Sequence, residues 1–516
     1  MERARSILGT WPGLASSPGR RLFWEIVALV LIAALPLFFF AWFWNSPFER
    51  DEGAYATVAN GILNGKVPYR DLFDNKPPLV YIWYVLSFLT FGEGVASPRI
   101  VAAILLSLTT VAVYVETRLL FASGAGLMAA ACFALSTGVP FVGLHANTES
   151  FMLLPLVASL LALTMGFRRR RQLWWFGLAG VLAGMALLTK QVAVWNLLAL
   201  TLVATLWRWD TVRSWSAVVP GSCVVAGACL ALGLAALPFA LNGALGDFLY
   251  ANTIYNFRYL SVFSSGQRDF ILERGLIFGA FFFALAGPLV VGATCGLVTQ
   301  LRSNKSWAYH AFAAWVGAGA LGVVTGGRFY PHYFSQIMPA LAILTAVFVH
   351  QQLRNRGLRP VPALALLVAG VSISLSVTTN ALLYVVPDRT QAAFSRSGYQ
   401  QKEWEKVSEK VAAYIALHTD PEDRVFNYGR EPQIYFYADR SPASQYFYDW
   451  VYSYDPSTVT STVDQLRQDP PKYIVDSVQP PLFSQADREP ELDTLLAESY
   501  QFVDTVEFAK IYRLRP

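Results

Sequence analysis

The chain has 516 residues, of which 54% are hydrophobic and only 15% are charged, and its mean hydropathy is +0.39. This composition excludes an ordinary soluble protein, in which about a quarter of the residues are charged. The net charge of +5 is low for this length. The basic residues lie largely in short loops, which indicates membrane topology and argues against a nucleic-acid partner. We therefore expect a polytopic membrane protein that contacts membrane lipid.

Apolar segments of helical length follow one another along most of the chain. They span residues 22–44, 77–91, 98–120, 122–143, 149–167, 173–189, 191–207, 216–241, 274–299, 307–325, 332–350 and 361–386. Most of them reach the roughly 20 residues that a membrane-spanning helix needs. The fold class that they predict is a polytopic α-helical membrane protein.

Basic residues in the short loops predict the orientation, because Arg and Lys stay on the cytoplasmic side during insertion. These residues are Arg3, Arg5, Arg20, Arg21, Arg168 to Arg171, Arg208, Arg213, Arg302, Lys305, Arg354, Arg356 and Arg359. The N-terminus, residues 1–21, is therefore expected in the cytoplasm. The outer loops then include residues 45–76, called the first loop below, and residues 144–148, called the second loop.

The number of crossings depends on the segments between these two loops. Three apolar segments separate them, although two loops on one side of a membrane require an even number of crossings. The segment 77–91 is the shortest, about 22 Å long as a helix, so we expect it to enter the membrane only partly. A different division of residues 98–143 is the alternative. We predict about 11 crossings, within a range of about 11–13 transmembrane helices.

The composition changes after residue 387, where apolar runs shorten and charged residues and tyrosines return. The periodic segments there are a helix over 403–418 and strand-like runs at 425–428, 473–475 and 510–514. We predict a transmembrane domain over residues 22–387 and a small α/β soluble domain over residues 388–516. The topology makes this second domain extracytoplasmic.

Two acids, Asp51 and Glu52, lie side by side in the first loop, directly beyond the first apolar segment. An ionised carboxylate next to a bilayer is costly and usually marks a functional site, whereas in a soluble loop the pair would be merely solvated charges. Residues 55–63 have helical apolar spacing, which predicts a short interfacial helix. Lys76, directly before two prolines, either anchors the next helix at head-group depth or belongs to the site.

Four stretches of the chain together resemble the GT-C superfamily of glycosyltransferases, in the branch of the protein O-mannosyltransferases and the aminoarabinose transferases that modify lipid A. They are the pair Asp51 and Glu52, the run from Lys76 to Trp83, the stretch from Leu144 to Pro155, and the run from Gly327 to Pro339 with its arginine and His-Tyr pair. The resemblance extends from about residue 20 to residue 387, and the terminal domain has only a loose counterpart.

The resemblance implies a GT-C-like fold and the transfer of a sugar from a polyprenyl-phosphate-linked donor to an acceptor hydroxyl at the outer face. It implies a hexosyl- or pentosyltransferase and leaves the sugar open. The acceptor is a glycolipid, a polysaccharide or a protein. The compact terminal domain favours a prokaryotic plasma (inner) membrane. No cofactor is expected beside the lipid-linked donor, and no metal, because the five histidines are dispersed.

The residue types suit this chemistry, because an attacking hydroxyl needs a carboxylate to accept its proton and a departing phosphate needs cations. By family position Asp51 is the predicted base, and Glu52 orients the acceptor or accepts a sugar hydroxyl. The predicted donor-phosphate groups are Lys76, Arg258, Arg328 and His332. The predicted acceptor- or sugar-binding residues are Tyr55, Tyr69, Asn147, Glu149, Tyr330 and Tyr333.

Each assignment has a structural alternative. Arg328 at a helix boundary is also typical of a head-group anchor, and His332 of a hydrogen-bonded core residue. Glu149 begins an apolar helix, where an acid interacts favourably with the helix dipole. Aromatic residues near Arg258 are equally typical of an interfacial belt.

The alternative function is a transporter or flippase for a lipid-linked sugar, which would also have many helices and membrane-level charges. Transporters often contain internal repeats, and the first-loop pattern does not recur in the second half of this sequence. A catalytically silent scaffold is a third hypothesis, against which Asp51 and Lys76 argue.

Overall fold

The computed structural model describes most of the chain. The described residues are 18–41, 44–121, 123–138, 145–169, 172–212, 215–261, 268–303, 306–355, 402–452, 454–478 and 488–516. The predicted apolar segment 361–386 and the predicted domain boundary at residue 387 lie outside these residues.

Up to residue 355 the described chain forms a helical bundle. Its α-helices are α1 (Pro18–Ala33), α2 (Leu35–Ala41), α3 (Arg50–Leu63), α4 (Leu79–Phe91), α5 (Ala96–Leu120), α6 (Ser123–Ser136), α7 (Thr148–Arg168), α8 (Trp174–Leu187), α9 (Val194–Val212), α10 (Val219–Leu241), α11 (Leu245–Leu249), α12 (Tyr255–Ser261), α13 (Arg268–Ser303), α14 (Trp307–Thr325) and α15 (Met338–Asn355). Short 3-10 helices lie at Gln191–Ala193, Trp215–Val218 and Pro331–Ile337, and a π-helical turn lies at Tyr250–Ile254.

Within the described residues, the longer helices coincide with the predicted apolar segments between residues 22 and 350, and residues 139–143 of the segment 122–143 lie outside the described residues. Among the described residues, six helical stretches are long and apolar enough to cross a membrane, and four further apolar helices are shorter. The segment 22–44 is divided into α1 and α2 at Ala34. Helix α4 has 13 residues, about 20 Å of helix, so it is shorter than a full span. The number of crossings stays a prediction.

The last part of the described chain is an α/β unit, called the C-terminal domain below. Its elements are α16 (Lys402–His418), β1 (Val425–Gly429), α17 (Gln433–Ala438), a 3-10 turn at Asp449–Val451, α18 (Ser457–Gln468), β2 (Tyr473–Ser477), α19 (Pro490–Ser499), β3 (Tyr500–Val506) and β4 (Ala509–Leu514). The sheet order is β1-β2-β4-β3. Strands β1 and β2 are parallel, and the other pairs are antiparallel. All residues of β1 and β2 are buried, as expected for parallel strands covered on both faces.

The C-terminal domain packs directly on the first loop. Arg50 forms a salt bridge of 3.1 Å with Glu431, two residues before α17 begins. Gly53 faces Gln433 so closely that a Cβ at this position would lie 2.5 Å from the Gln433 Cβ. Helix α3 is therefore held between the bundle and the C-terminal domain.

Candidate active site

Asp51 lies in the first turn of α3. Glu49 is the N-cap of this helix and Glu52 its third residue, and their side chains form a reciprocal capping box with the backbone. Asp51 is half-buried, and no hydrogen bond or ion pair to its carboxylate is present within the described residues. The N-terminal end of a helix stabilises negative charge. Asp51 therefore offers a carboxylate that is open to a substrate.

Glu52, the next residue, is fully buried, and its carboxylate accepts several hydrogen bonds. Its carboxylate accepts hydrogen bonds from Nε and Nη2 of Arg99 at 3.0 and 2.5 Å and from the backbone N–H of Ala146 at 2.8 Å. His145 Nδ1 lies 3.6 Å from the same carboxylate. Although burial raises the pKa of Glu52, Arg99 holds it well below its usual range. This group, called the Glu52 junction, joins the first loop, the second loop and α5.

Two tyrosines hold the backbone of Lys76. The hydroxyls of Tyr69 and Tyr81 donate to the Lys76 carbonyl at 2.9 and 3.2 Å. The Lys76 ammonium lies 6.0 Å from the ring centroid of Tyr55. Tyr55 and Tyr69 are each only 1% exposed, so they help to position Lys76, and their predicted contact with an acceptor or a sugar stays a prediction.

Asp74 is a buried acid of the first loop that the sequence analysis did not select. Its carboxylate accepts hydrogen bonds of 3.0 Å from Tyr81 of α4 and from Tyr448 of the C-terminal domain. Although burial lowers the pKa of Lys76, the charges of Asp51 and Asp74 raise it above its usual value. Lys76 is therefore a protonated cation.

The second loop and two later segments bring further charges together. Lys190 donates to the carboxylate of Glu149, whose other oxygen accepts from the Thr148 hydroxyl at 2.9 Å. His332 Nε2 lies 3.5 Å from Glu149, and the Lys190 ammonium lies 3.8 Å from the ring centroid of Tyr333. Glu149 is thus a counter-ion for Lys190.

These charges and those of the first loop form one group, called the charged cluster: Asp51, Lys76, Glu149, Lys190 and His332. Asp51 belongs to this group because its charge raises the pKa of Lys76. Sequence analysis missed Lys190, because it follows an apolar segment and its partner Glu149 is 41 residues away. A lysine that interrupts apolar sequence is the signal that marks such a residue.

Two predicted residues flank the charged cluster. Asn147 is the N-cap of α7 and is buried at the end of the second loop. The ring of Tyr330 is parallel to that of His332, with centroids 5.8 Å apart. Both residues therefore border the space next to Glu149 and His332, and their predicted contact with a sugar or an acceptor stays a prediction.

Arg328 is held in a ring of aromatic side chains. It follows Gly327, whose φ of +60° lies in the left-handed region that favours glycine. The guanidinium carbon lies 4.7 Å from the ring centroids of Tyr259 and Trp450 and 5.7 Å from that of Tyr454. The guanidinium also donates to the Tyr454 hydroxyl. Trp450 and Tyr454 belong to the C-terminal domain, which the sequence analysis did not connect with the site.

Arg258 has a different environment from Arg328. It pairs with Asp455, which also accepts a hydrogen bond from Tyr250. The Arg258 side chain is 48% exposed. Its charge is matched by Asp455, and its assignment to the donor phosphate stays a prediction.

Tyr259 contacts Arg328 through its ring, and burial raises the pKa of its hydroxyl. The resulting site has an open carboxylate and several cations, which suits a proton acceptor next to a bound anion. In the described part of the chain, no group of three or more His, Cys, Asp or Glu residues is placed to hold a metal ion. Independence from metal and cofactor stays a prediction.

Comparisons with known proteins agree with this architecture. Residues 75–236 match the family model of dolichyl-phosphate-mannose-protein mannosyltransferases. The fold is similar to that of ArnT from Cupriavidus metallidurans bound to undecaprenyl phosphate, with a TM-score of 0.57, 16% identity, and coverage of 96% of this chain and 98% of that chain. Among curated proteins, no sequence matches the chain significantly.

The oligosaccharyltransferase of Archaeoglobus fulgidus has a similar fold. Its apo form gives a TM-score of 0.54 at 14% identity, over 88% of this chain and 69% of that chain. The form tethered to an acceptor peptide with the NVT sequon gives 0.52 at 16% identity, over the same shares. The family-model match over residues 75–236 and the shared fold confirm the resemblance to the GT-C superfamily. They also confirm the predicted fold class, a polytopic helical membrane protein with a small C-terminal α/β domain.

Proposed function

We propose that the chain moves a sugar from a polyprenyl-phosphate-linked donor to an acceptor hydroxyl at the outer face of the membrane. The observation that carries this proposal is the half-buried Asp51 carboxylate, without a hydrogen bond in the described residues and electrostatically coupled to Lys76. An open acid next to a fixed cation suits proton acceptance and phosphate departure in one site. The likeness to ArnT bound to undecaprenyl phosphate supports this class of donor.

In the proposed reaction the acceptor oxygen attacks the anomeric carbon while the bond from that carbon to the phosphate oxygen breaks. Asp51 takes the hydroxyl proton, and the electron pair of the broken bond leaves with the lipid phosphate. Lys76 and Arg328 offset the added negative charge, Lys76 as a compact cation and Arg328 as a planar fork. Attack from the side opposite the phosphate inverts the anomeric carbon.

Other residues act indirectly in this proposal. Glu52 fixes the second loop against α3, so it positions Asp51 and does not exchange protons. Glu149 orients Lys190, which adds a cation that the sequence analysis did not include, and His332 lies beside this pair. No metal or cofactor is needed beside the lipid-linked donor.

The proposed location is the plasma (inner) membrane, with the N-terminus cytoplasmic and the C-terminal domain extracytoplasmic, as the basic loops indicate. The acceptor is a glycolipid, a polysaccharide or a protein. The acceptor peptide tethered to the oligosaccharyltransferase supports including protein among these classes. The donor sugar, whether hexose or pentose, is left open.

The test is sugar transfer by the purified chain in proteoliposomes that contain a polyprenyl-phosphate sugar. Asp51→Asn keeps the size of the side chain and removes its basicity, so we expect transfer to fall by at least about 100-fold. The matched control is Asp247→Asn, because Asp247 is a half-buried carboxylate of the short helix α11, outside the charged cluster. Unchanged transfer by Asp51→Asn would remove Asp51 from catalysis. Translocation of the lipid without transfer by the wild type would favour the flippase.

A further inference from the structure

The C-terminal domain contributes the side chains that enclose Arg328. Trp450 and Tyr454 come from this domain, and Tyr259 comes from the bundle. Arg328 itself is 7% exposed. A buried guanidinium is therefore held by a group of three rings that exists only while the two parts of the protein are in contact. We call Tyr259, Trp450 and Tyr454 the aromatic clamp.

The aromatic clamp holds the Arg328 guanidinium through uncharged groups. Ring faces attract a cation through their quadrupole and carry no net charge, and the Tyr454 hydroxyl that accepts from Arg328 is also uncharged. Arg258 shows the contrast, because its charge is matched by the Asp455 carboxylate. The aromatic clamp thus fixes the position of the Arg328 guanidinium.

The chain that carries Trp450 and Tyr454 is tied to the bundle on both sides. The Tyr448 hydroxyl donates to Asp74 at 3.0 Å, and the Tyr255 hydroxyl donates to the Val451 carbonyl at 3.1 Å. Directly after Tyr454, Asp455 accepts from Arg258 and Tyr250. We call the pair of Arg258 and Asp455 the latch.

We propose that the C-terminal domain completes the donor site, with the aromatic clamp positioning Arg328 for the lipid phosphate and the latch keeping the clamp in place. This inference rests on the proposed function, since it assigns the anion at Arg328 to the donor phosphate. It makes Trp450, Tyr454, Arg258 and Asp455 positioning residues that act through Arg328. Affinity for lipid phosphate then depends on a domain that supplies no cation to the cluster.

The test measures binding of undecaprenyl phosphate to the purified full chain in nanodiscs, by native mass spectrometry, with thermal unfolding recorded for every variant. Arg258→Asp and Asp455→Arg each place like charges together in the latch, and we expect about tenfold weaker binding from each. The double variant restores an ion pair with reversed polarity, so we expect binding within about threefold of the wild type. This rescue separates positioning from a general loss of stability.

Two ring substitutions keep the test decisive if a latch variant fails to fold. Trp450→Leu removes one face of the clamp and should weaken binding about tenfold. Tyr454→Phe keeps the ring and should weaken it less. Trp174→Leu is the control, because Trp174 is 55% exposed on α8 and should bind as the wild type does.

The outcomes separate this inference from the proposed function. Binding by the wild type that is unchanged in the latch and clamp variants would overturn the inference alone. Weakened single variants without rescue in a folded double variant would also overturn it. Wild-type protein that bound no lipid phosphate would overturn the proposed function and this inference with it.

Discussion

The two adjacent acids of the first loop belong to two differently built regions. Around Glu52, the Glu52 junction is buried and saturated with hydrogen bonds from Arg99 and Ala146. Around Asp51, the charged cluster is half-open, and the described residues donate no hydrogen bond to the Asp51 carboxylate. Neighbours on a helix point in different directions, so one residue step separates a structural acid from an accessible one. The number of hydrogen bonds that each carboxylate accepts therefore distinguishes the structural acid Glu52 from the accessible acid Asp51.

The largest expected effect on stability comes from breaking the Glu52 junction. Glu52→Gln leaves the buried Arg99 guanidinium without a counter-charge, which should lower the free energy of unfolding by about 3–5 kcal/mol. Thermal and denaturant unfolding of the detergent-purified protein measure this loss. The control is Glu93→Gln, because Glu93 is an exposed acid and should change stability by about 0.5 kcal/mol or less. Equal stability of Glu52→Gln and wild type would contradict the structural role.

Substitution in the charged cluster should instead weaken donor binding and not the stability of the fold. Lys76→Met removes a half-buried cation that approaches a phosphate in the proposed function. A hydrogen bond to a charged group contributes about 1.5–3 kcal/mol, so we expect about 10- to 100-fold weaker donor binding. Isothermal titration with undecaprenyl phosphate checks this. A Lys76→Met variant that unfolds at lower temperature but binds undecaprenyl phosphate normally would contradict this distinction between the charged cluster and the Glu52 junction.

The Glu52 junction should make the stability of the wild type more sensitive to acid than that of a variant without the Glu52 carboxylate. Because the folded-state pKa of Glu52 is depressed, its stabilisation is fully present above the unfolded-state pKa of about 4.3. It is lost as the pH falls from there through the folded-state pKa. Stability measured from pH 7 downward should therefore fall more steeply below about pH 4.3 for the wild type than for Glu52→Gln. Parallel curves would contradict the prediction.

The smallest expected effect concerns the contact between α3 and the C-terminal domain. A Cβ at Gly53 would lie 2.5 Å from the Gln433 Cβ, so Gly53→Ala should cost about 1–3 kcal/mol through overpacking. Limited proteolysis and thermal unfolding report the loosened contact. Gly233→Ala on α10 is the control, because a Cβ there has nothing within 4 Å. Equal proteolysis and equal thermal unfolding of the two variants would contradict a tight contact between α3 and the C-terminal domain.

The sequence predicted the elements well wherever local periodicity is strong. The helical run 403–418 is α16, and the strand-like runs lie in β1, β2 and β4. Strand β3 was missed, because Phe502 and Val503 are exposed and only its pairing with β4 identifies it. Such pairing is not visible in a local pattern.

The site was predictable only in part, because its contacts, like strand pairing, are not visible in a local pattern. Asp51 and Lys76 follow from their position next to apolar segments, whereas their surroundings come from distant parts of the chain. Arg99 lies 47 residues from its partner Glu52, and Tyr454 lies 126 residues from Arg328. These contacts depend on tertiary packing, so no spacing rule reveals them.

The central claim is that Asp51 accepts the proton of the acceptor hydroxyl. The most direct measurement is a single turnover by protein loaded with a labelled polyprenyl-phosphate sugar, comparing wild type and Asp51→Asn at equal donor occupancy. If Asp51 accepts this proton, Asp51→Asn binds the donor as the wild type does and forms product at least about 100-fold more slowly. Product formation at the wild-type rate with the donor fully bound would contradict it.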